Sequence, residues 1–222
     1  MATERVTCFR EHDVATFFGN RPWIPSSRLS LSLVCSHLRT IESGGGTQVL
    51  DRPDADKADG WRHIGTYTLI NVGGLIASYR RGSSGGEGRL HGKISIGFGG
   101  HYTVDEQPAE VVVSVDSITN AAAREVDEEV KINNDSESRY VGMILSSESS
   151  VDRVHIGLCF ERCVSTVARS AADLGRNIIE PAEDCIKEIK LEKFQDINTE
   201  ECETWTKILL ANMRKRPITT YF

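Results

Sequence analysis

Apolar and polar positions along this chain change period several times, and each change predicts an element. From Ala121 to Ile132 there is no Gly and no Pro, and Ala122, Val126 and Val130 recur every four residues. That spacing predicts a helix with one apolar face, with Thr119 or Asn120 as N-cap and Asn133-Asn134-Asp135 as the turn that ends it. Upstream, Tyr67–Val72 and Leu75–Arg80 read as strands joined at Gly73-Gly74, a hairpin. Arg89–Phe98 reads as a strand feeding the Gly99-Gly100 pair. Tyr140–Leu145 and Arg153–Val164 read as strands around a polar turn, Ser146–Asp152. In the latter strand Val154, Ile156, Leu158 and Phe160 alternate with His155, Gly157, Cys159 and Glu161, which predicts one core face and one face free to line a cleft. Further on, Ser165–Leu174 reads as a short helix or turn. Pro181–Ile189 has Ala182, Cys185, Ile186 and Ile189 at helical spacing. Thr199–Arg214 places Cys202, Trp205, Ile208, Leu209 and Met213 on one stripe, a terminal helix with Thr199 as cap and Trp205 in the core. Met213-Arg214-Lys215-Arg216 is a small, solvated basic patch.

The first sixty residues are harder to read. Val6–Phe9 suggests a short strand, and Asp13–Phe18 one or two helical turns ended by Gly19. Arg21–Pro25 is extended, because each proline biases its predecessor away from helix. Ser30–Ile41 fits helix or strand. Ser43–Gly46 and Asp51–Gly60 read as loops. Residues 1–60 are expected to form an extension that packs on a core of residues 61–222, or that supplies a homodimer contact. The chain is expected to form one compact domain overall.

Composition narrows the class. The chain has 222 residues, 39% hydrophobic and 26% charged, so it is long and apolar enough to bury a core. Its net charge of −6 argues against a nonspecific nucleic-acid coat, which needs a basic surface. No apolar run reaches bilayer length and no signal peptide is visible, so no membrane partner is expected. The six cysteines form no Cys-x-x-Cys, and reduced thiols in the cytoplasm are the default. His155, Cys159 and Cys163 suggest zinc by type alone, but a strand spreads i and i+8 over about 26 Å, too far for one ion.

The candidate chemistry sits in Arg124-Glu125-Val126-Asp127-Glu128-Glu129. On a helix Glu125, Glu128 and Glu129 share a face, away from the apolar one. Carboxylates crowded in this way repel one another unless a cation sits among them, and Mg²⁺ prefers such oxygens. Solvated acidic faces are common, so the spacing alone leaves both readings open. Arg124 can orient Glu128 one turn on, or grip a phosphate. The glycine pair before the helix permits close backbone approach to a ligand. Arg80 and Arg81, at a strand end, face phosphate or solvent. Ser83–Gly88 is Gly-rich but lacks the Lys-Ser/Thr pair of a phosphate-binding loop.

The stretch resembles the signature of the Nudix hydrolases, G-x5-E-x7-R-E-U-x-E-E-x-G-U with U aliphatic. Gly100 and Glu106 match its first part, Arg124–Glu129 match R-E-U-x-E-E, and Ile132 matches the last position. Seventeen residues separate Glu106 from Arg124 where the signature has seven, an insertion of ten, and Lys131 replaces the signature glycine. Val111-Val112-Val113 within the insertion suggests a lid or an added strand. Tyr79-Arg80-Arg81, Arg89–Lys93, Ser95–His101, Val154–Leu158 and Glu203–Thr206 resemble a bacterial subgroup of predicted phosphoesterases with an expanded box.

The resemblance implies an α/β fold with a mixed sheet, the Nudix-type α/β/α sandwich. It implies Mg²⁺-dependent hydrolysis, with Mn²⁺ the alternative, of a diphosphate bond in a nucleotide-derived small molecule. By motif match, Glu125, Glu128 and Glu129 would hold metal, one of them able to act as base, and Arg124 would orient a carboxylate. Gly100 would offer its carbonyl and Glu106 would support the metal shell. Glu161 is the candidate for a further metal carboxylate, with Glu148 and Asp152 as rivals. Arg80, Arg81 and His101 are candidate substrate contacts; for His101 a loop-capping role is the alternative. A Nudix-like domain that binds a nucleotide or protein partner without hydrolysis is the alternative function.

Overall fold

The backbone of the first unit is organised by a buried strand that opens the chain. In the computed structural model, residues 3–83, 88–107, 112–132, 138–164 and 178–213 are described. β1 (Arg5–Arg10) is exposed only at its two ends. It therefore needs a ladder partner on both edges and apolar cover on both faces. β3 (Thr47–Asp51) runs antiparallel on one edge, from Arg5↔Asp51 to Phe9↔Thr47. The start of β4 (Trp61–Val72) pairs with the other through Cys8↔His63 and Arg10↔Trp61.

The chain separates into two units. The first comprises residues 1–67, 100–122 and 140–159, and the second residues 68–99, 123–139 and 160–222. The N-terminal sixty residues thus share a unit with two later segments. β4, α4 (Val115–Glu129) and β10 (His155–Val164) contribute residues to both.

In the first unit α1 (Glu11–Phe18) follows β1 directly. Acidic Glu11 and Asp13 occupy its first turn, where the helix dipole favours them, and Gly19 closes it at φ 71°. Ser30 caps α2 (Leu31–Ser43), its hydroxyl accepting from the Leu33 N–H at 3.3 Å. Leu31, Val34, Cys35, Leu38 and Ile41 make its buried stripe, so the ambiguous Ser30–Ile41 pattern resolves as helix. Gly46 is a close approach: a Cβ there would stand 2.7 Å from Ile41 Cγ2. A one-turn helix, α3 (Arg52–Ala55), lies where a loop was expected. β2 (Trp23–Pro25) pairs with β9 (Ser138–Ile144) through Trp23↔Ile144 and Pro25↔Gly142.

The second unit holds the expected hairpin. β4 turns into β5 (Leu75–Arg81) through Gly73 at φ 58° and Gly74 at φ 91°. Two consecutive positive φ values make the turn whose twist matches a two-residue hairpin. Arg89–Phe98 is not one strand. A 3₁₀ turn at Gly88–Leu90 precedes two short pieces, β6 (Ile94–Ser95) on β5 and β7 (Gly97–Phe98) on β4. Ile70, Val72, Ala77, Tyr79, Phe98, Val126, Val130, Val164 and Ile186 pack as one core, with the Tyr79 and Phe98 rings stacked at 4.7 Å.

Four expectations differ from the structure. α4 begins at Val115, within the expected insertion, so Thr119 and Asn120 are interior. Its cap is reciprocal: Ser117 N–H donates to Ser114 Oγ at 3.0 Å, and Ser114 N–H donates to Ser117 Oγ at 3.0 Å. Val112 and Val113 are buried and not strand, so the added strand is absent there. The Pro181–Ile189 helix is absent. β11 (Ile179–Pro181) instead pairs with β8 (Val130–Ile132), and β12 (Ile186–Glu192) pairs with β5. A short apolar spacing fits either period, and the open edge of β5 decides it by offering ladder hydrogen bonds. The terminal helix α5 (Thr204–Met213) starts later than expected, after a 3₁₀ turn capped by Asn198 rather than by Thr199.

The readings at Ser83–Gly88, Val111, Asn133–Asp135, Ser165–Leu174 and Arg214–Arg216 lie wholly or largely outside the described residues. Among the described residues no helix is long and apolar enough to cross a membrane.

Candidate functional site

The acidic turn of α4 is built from its own sequence. Arg124 donates through one guanidinium nitrogen to Glu125 Oε1 and through another to Glu128 Oε2, each at 2.8 Å. Glu125 is mostly buried, whereas Glu128 is about half exposed (53%). The bridge overcomes the repulsion that two adjacent carboxylates would otherwise feel and fixes their rotamers.

Glu129 is held differently. It is buried, and its Oε2 accepts from the Gly99 N–H at 2.8 Å. Burial pushes its carboxyl up to about 8, partly offset by Arg81 and the Gly99 N–H and reinforced by Glu125 and Glu183. Glu183 and the Cys185 thiol, from the turn before β12, come within 4.8 Å of it. The glycine pair thus acts on the acidic helix through the Gly99 N–H. The helix ends at Glu129 and passes into β8, where Lys131 is extended opposite Glu180. A helix stop at the signature glycine is not needed.

The other expected site residues have local partners. Arg80 donates to the Gly92 carbonyl and pairs with Glu201, both at 2.7 Å. Arg81 stands 3.3 Å from Glu203 and over the Tyr79 ring. Glu161 is buried, accepting from Asn71 at 2.8 Å and from Arg139 at 2.6 Å. His155, Cys159 and Glu161 are all buried, so that face of β10 does not open to a cleft as expected. In the first unit, Glu106 closes a capping box on Thr103, and the Gly100 carbonyl accepts from the Thr66 N–H at 2.8 Å. Asp152 is buried and accepts from Ser149 N–H at 2.9 Å.

No family model matches the chain. Over 109 residues, 48% of its length, it is 36% identical to Protein YmaB of Bacillus subtilis (strain 168). The chain spans about half the length (52%) of that curated relative. The crystal structure of Tm1382, named as a candidate Nudix hydrolase, superposes with a TM-score of 0.70. That match is 21% identical and covers 95% of this chain and 98% of the other. The chain has the Nudix fold. The expected mixed α/β architecture, the α/β/α sandwich of that superfamily, is therefore its fold.

A second cluster on this Nudix fold went unread in the sequence. In the first unit Asp56, His63, His101 and His155 bring one ligand atom each within 4.8 Å of one another. His63 sits on β4, opposite Cys8 of β1, and is fully buried. His101 bridges to Gly65, two residues along β4 from His63 and on the same face. His155 opens β10, and Asp56 follows α3. His101 Nε2 and His155 Nε2 are 3.1 Å apart, and His63 Nε2 is 3.4 Å from Asp56 Oδ1. Burial, then Arg52, His155 and His63, hold the His101 imidazole well below its ordinary 6.5. The His101 ring lies tilted against those of His63 and His155, with centroids 5.0 and 5.3 Å away. The sequence points to His101 and His155 separately but not to the cluster, because four residues scattered over four segments leave no local spacing to read.

Proposed function

We propose that the chain hydrolyses a diphosphate linkage in a nucleoside diphosphate-linked compound, with a divalent metal ion held on α4. The observation that carries this reading is the Arg124 bridge to Glu125 and Glu128, with buried Glu129 fastened to the glycine loop one residue on. The donor set fits a hard ion. It is all carboxylate oxygen, and a buried carboxyl kept protonated by its surroundings is a group that a cation would ionise.

A Mg²⁺ or Mn²⁺ ion, when bound, neutralises diphosphate oxygens and lowers the pKa of the attacking water. Glu125, Glu128 and Glu129 hold it. Arg124 keeps Glu125 and Glu128 oriented, and one of the three carboxylates accepts the water proton. In this reading Arg80 and Arg81, beside Glu201 and Glu203, are the phosphate contacts. The resemblance to the expanded-box phosphoesterases supports the same substrate class.

Glu128→Gln is the variant of choice, because its half-exposed side chain contributes little to stability. Nucleotide or phosphate release is measured across nucleoside diphosphate derivatives and triphosphates with Mg²⁺ or Mn²⁺. Turnover in the wild type that falls by about 100-fold or more in Glu128→Gln is expected. Equal turnover in both proteins, or no metal binding by the wild type in calorimetry, would sink the proposal.

A further inference from the structure

We propose that Asp56, His63, His101 and His155 form a second metal site, a closed tetrahedral site for Zn²⁺ in the first unit, distinct in ligand chemistry from the acidic helix. Four donors about 2.05 Å from a zinc ion, at tetrahedral corners, stand about 3.3 Å from each other. The His101–His155 nitrogen pair at 3.1 Å and the His63–Asp56 pair at 3.4 Å already have the length of tetrahedral edges. The remaining separations are within 4.8 Å, so modest side-chain rotations bring all four atoms to coordination distance.

The protonation pattern agrees. His155 Nδ1 lies 2.7 Å from the Val151 carbonyl, which can only accept, so Nδ1 carries the proton. The Nε2 of His155 then presents its lone pair to the cluster. An imidazole fixed by a backbone carbonyl on its far nitrogen is the usual arrangement of a metal-bound histidine. Asp56 is divided in the same way. Its Oδ2 is 3.9 Å from Arg52 Nε, while its Oδ1 is turned to His63.

The independent observation is His63. It is completely buried, and neither ring nitrogen has a hydrogen-bond partner; nor does the buried Asp56 Oδ1. Buried polar atoms are normally satisfied, and His63 Nε2 and Asp56 Oδ1, which face each other across 3.4 Å without a hydrogen bond, are the pair that a shared ligand would satisfy. Three imidazoles and one carboxylate suit Zn²⁺ rather than Mg²⁺, which takes oxygen donors and keeps its waters. Four protein ligands leave no open position, so the ion is structural. It ties the end of α3, the start of β4, the segment after the glycine pair and the start of β10.

The test uses the full chain. Protein stripped with a chelator is titrated with Zn²⁺ and with Co²⁺, and metal content is read by plasma mass spectrometry. Glu128→Gln is run alongside, so that binding on the acidic helix is told apart from binding at the histidines. The expected result is one equivalent of Zn²⁺ retained equally by wild type and Glu128→Gln, an intense tetrahedral Co²⁺ visible spectrum, and imidazole scattering in the zinc X-ray absorption spectrum. His101→Gln is expected to weaken binding by about 100-fold or more, and Asp56→Asn by about tenfold or more. If His101→Gln does not fold, the Asp56→Asn titration and the wild-type spectra decide. A wild type that binds no Zn²⁺, a pale six-coordinate Co²⁺ spectrum, zinc bound without imidazole scattering, or Asp56→Asn binding as tightly as wild type would each overturn the proposal.

Discussion

Replacing Glu129 by Gln in the metal-free chain should stabilise it, and the gain should grow with pH. The carboxyl has an ordinary value of 4.5 and is raised to about 8 by burial. Between those two values the native chain keeps a proton that the unfolded chain releases, so native stability falls as pH rises through that window. At 1.36 kcal/mol per pH unit, the penalty is about 3 kcal/mol at pH 7 and approaches about 5 kcal/mol above pH 8. Glutamine is neutral in both states and keeps an oxygen to accept the Gly99 N–H. Its amide N–H₂ adds a pH-independent cost of about 1–3 kcal/mol if left unpaired. The pH dependence is therefore the cleaner readout. Urea unfolding of both proteins in chelator, at pH 5 and pH 8, should give a stability difference that shifts by about 3 kcal/mol in favour of the variant at the higher pH. A difference that does not move with pH would refute the reasoning, because Glu129 would then titrate as an ordinary carboxyl. Mg²⁺ should stabilise the wild type and have little effect on the variant.

Three further outcomes are expected. Arg62 is buried and donates to the carbonyls of Ser146, Asp152 and His155 and to Glu11, so Arg62→Met should cost about 3–5 kcal/mol by orphaning those acceptors, measured by urea unfolding. Gly142→Ala would place a Cβ 2.5 Å from the Trp23 ring and 2.6 Å from the Ile24 carbonyl; pulling β2 off β9 should cost about 1–3 kcal/mol, read as a lower thermal midpoint. His101 stays neutral in the native state while the unfolded chain takes up a proton below 6.5, so metal-free stability should fall as pH drops from 7 to 5, by up to about 1.4 kcal/mol per unit, and His101→Gln should flatten that slope.

The acidic helix was legible because its determinants are local. Arg124, Glu125, Glu128 and Glu129 meet within about one helical turn, and helical spacing alone places them on one face. The Gly73-Gly74 hairpin was legible for the same reason, since its two-residue turn needs only positive φ at both positions. The start of α4 was missed because a pair of serines, not Thr119 or Asn120, satisfies its first N–H groups. β12 was misread because seven residues cannot settle a period, and the open edge of β5 settled it instead. Sequence by itself thus determined the acidic turn, the hairpin and the Nudix resemblance, all of which rest on contacts a few residues apart. Tertiary structure alone decided that Glu129 is buried while Glu128 is not, and that His63, His101, His155 and Asp56 meet. Those properties depend on which strands pair and in which register, and residues so far apart along the chain carry no spacing from which that could be read.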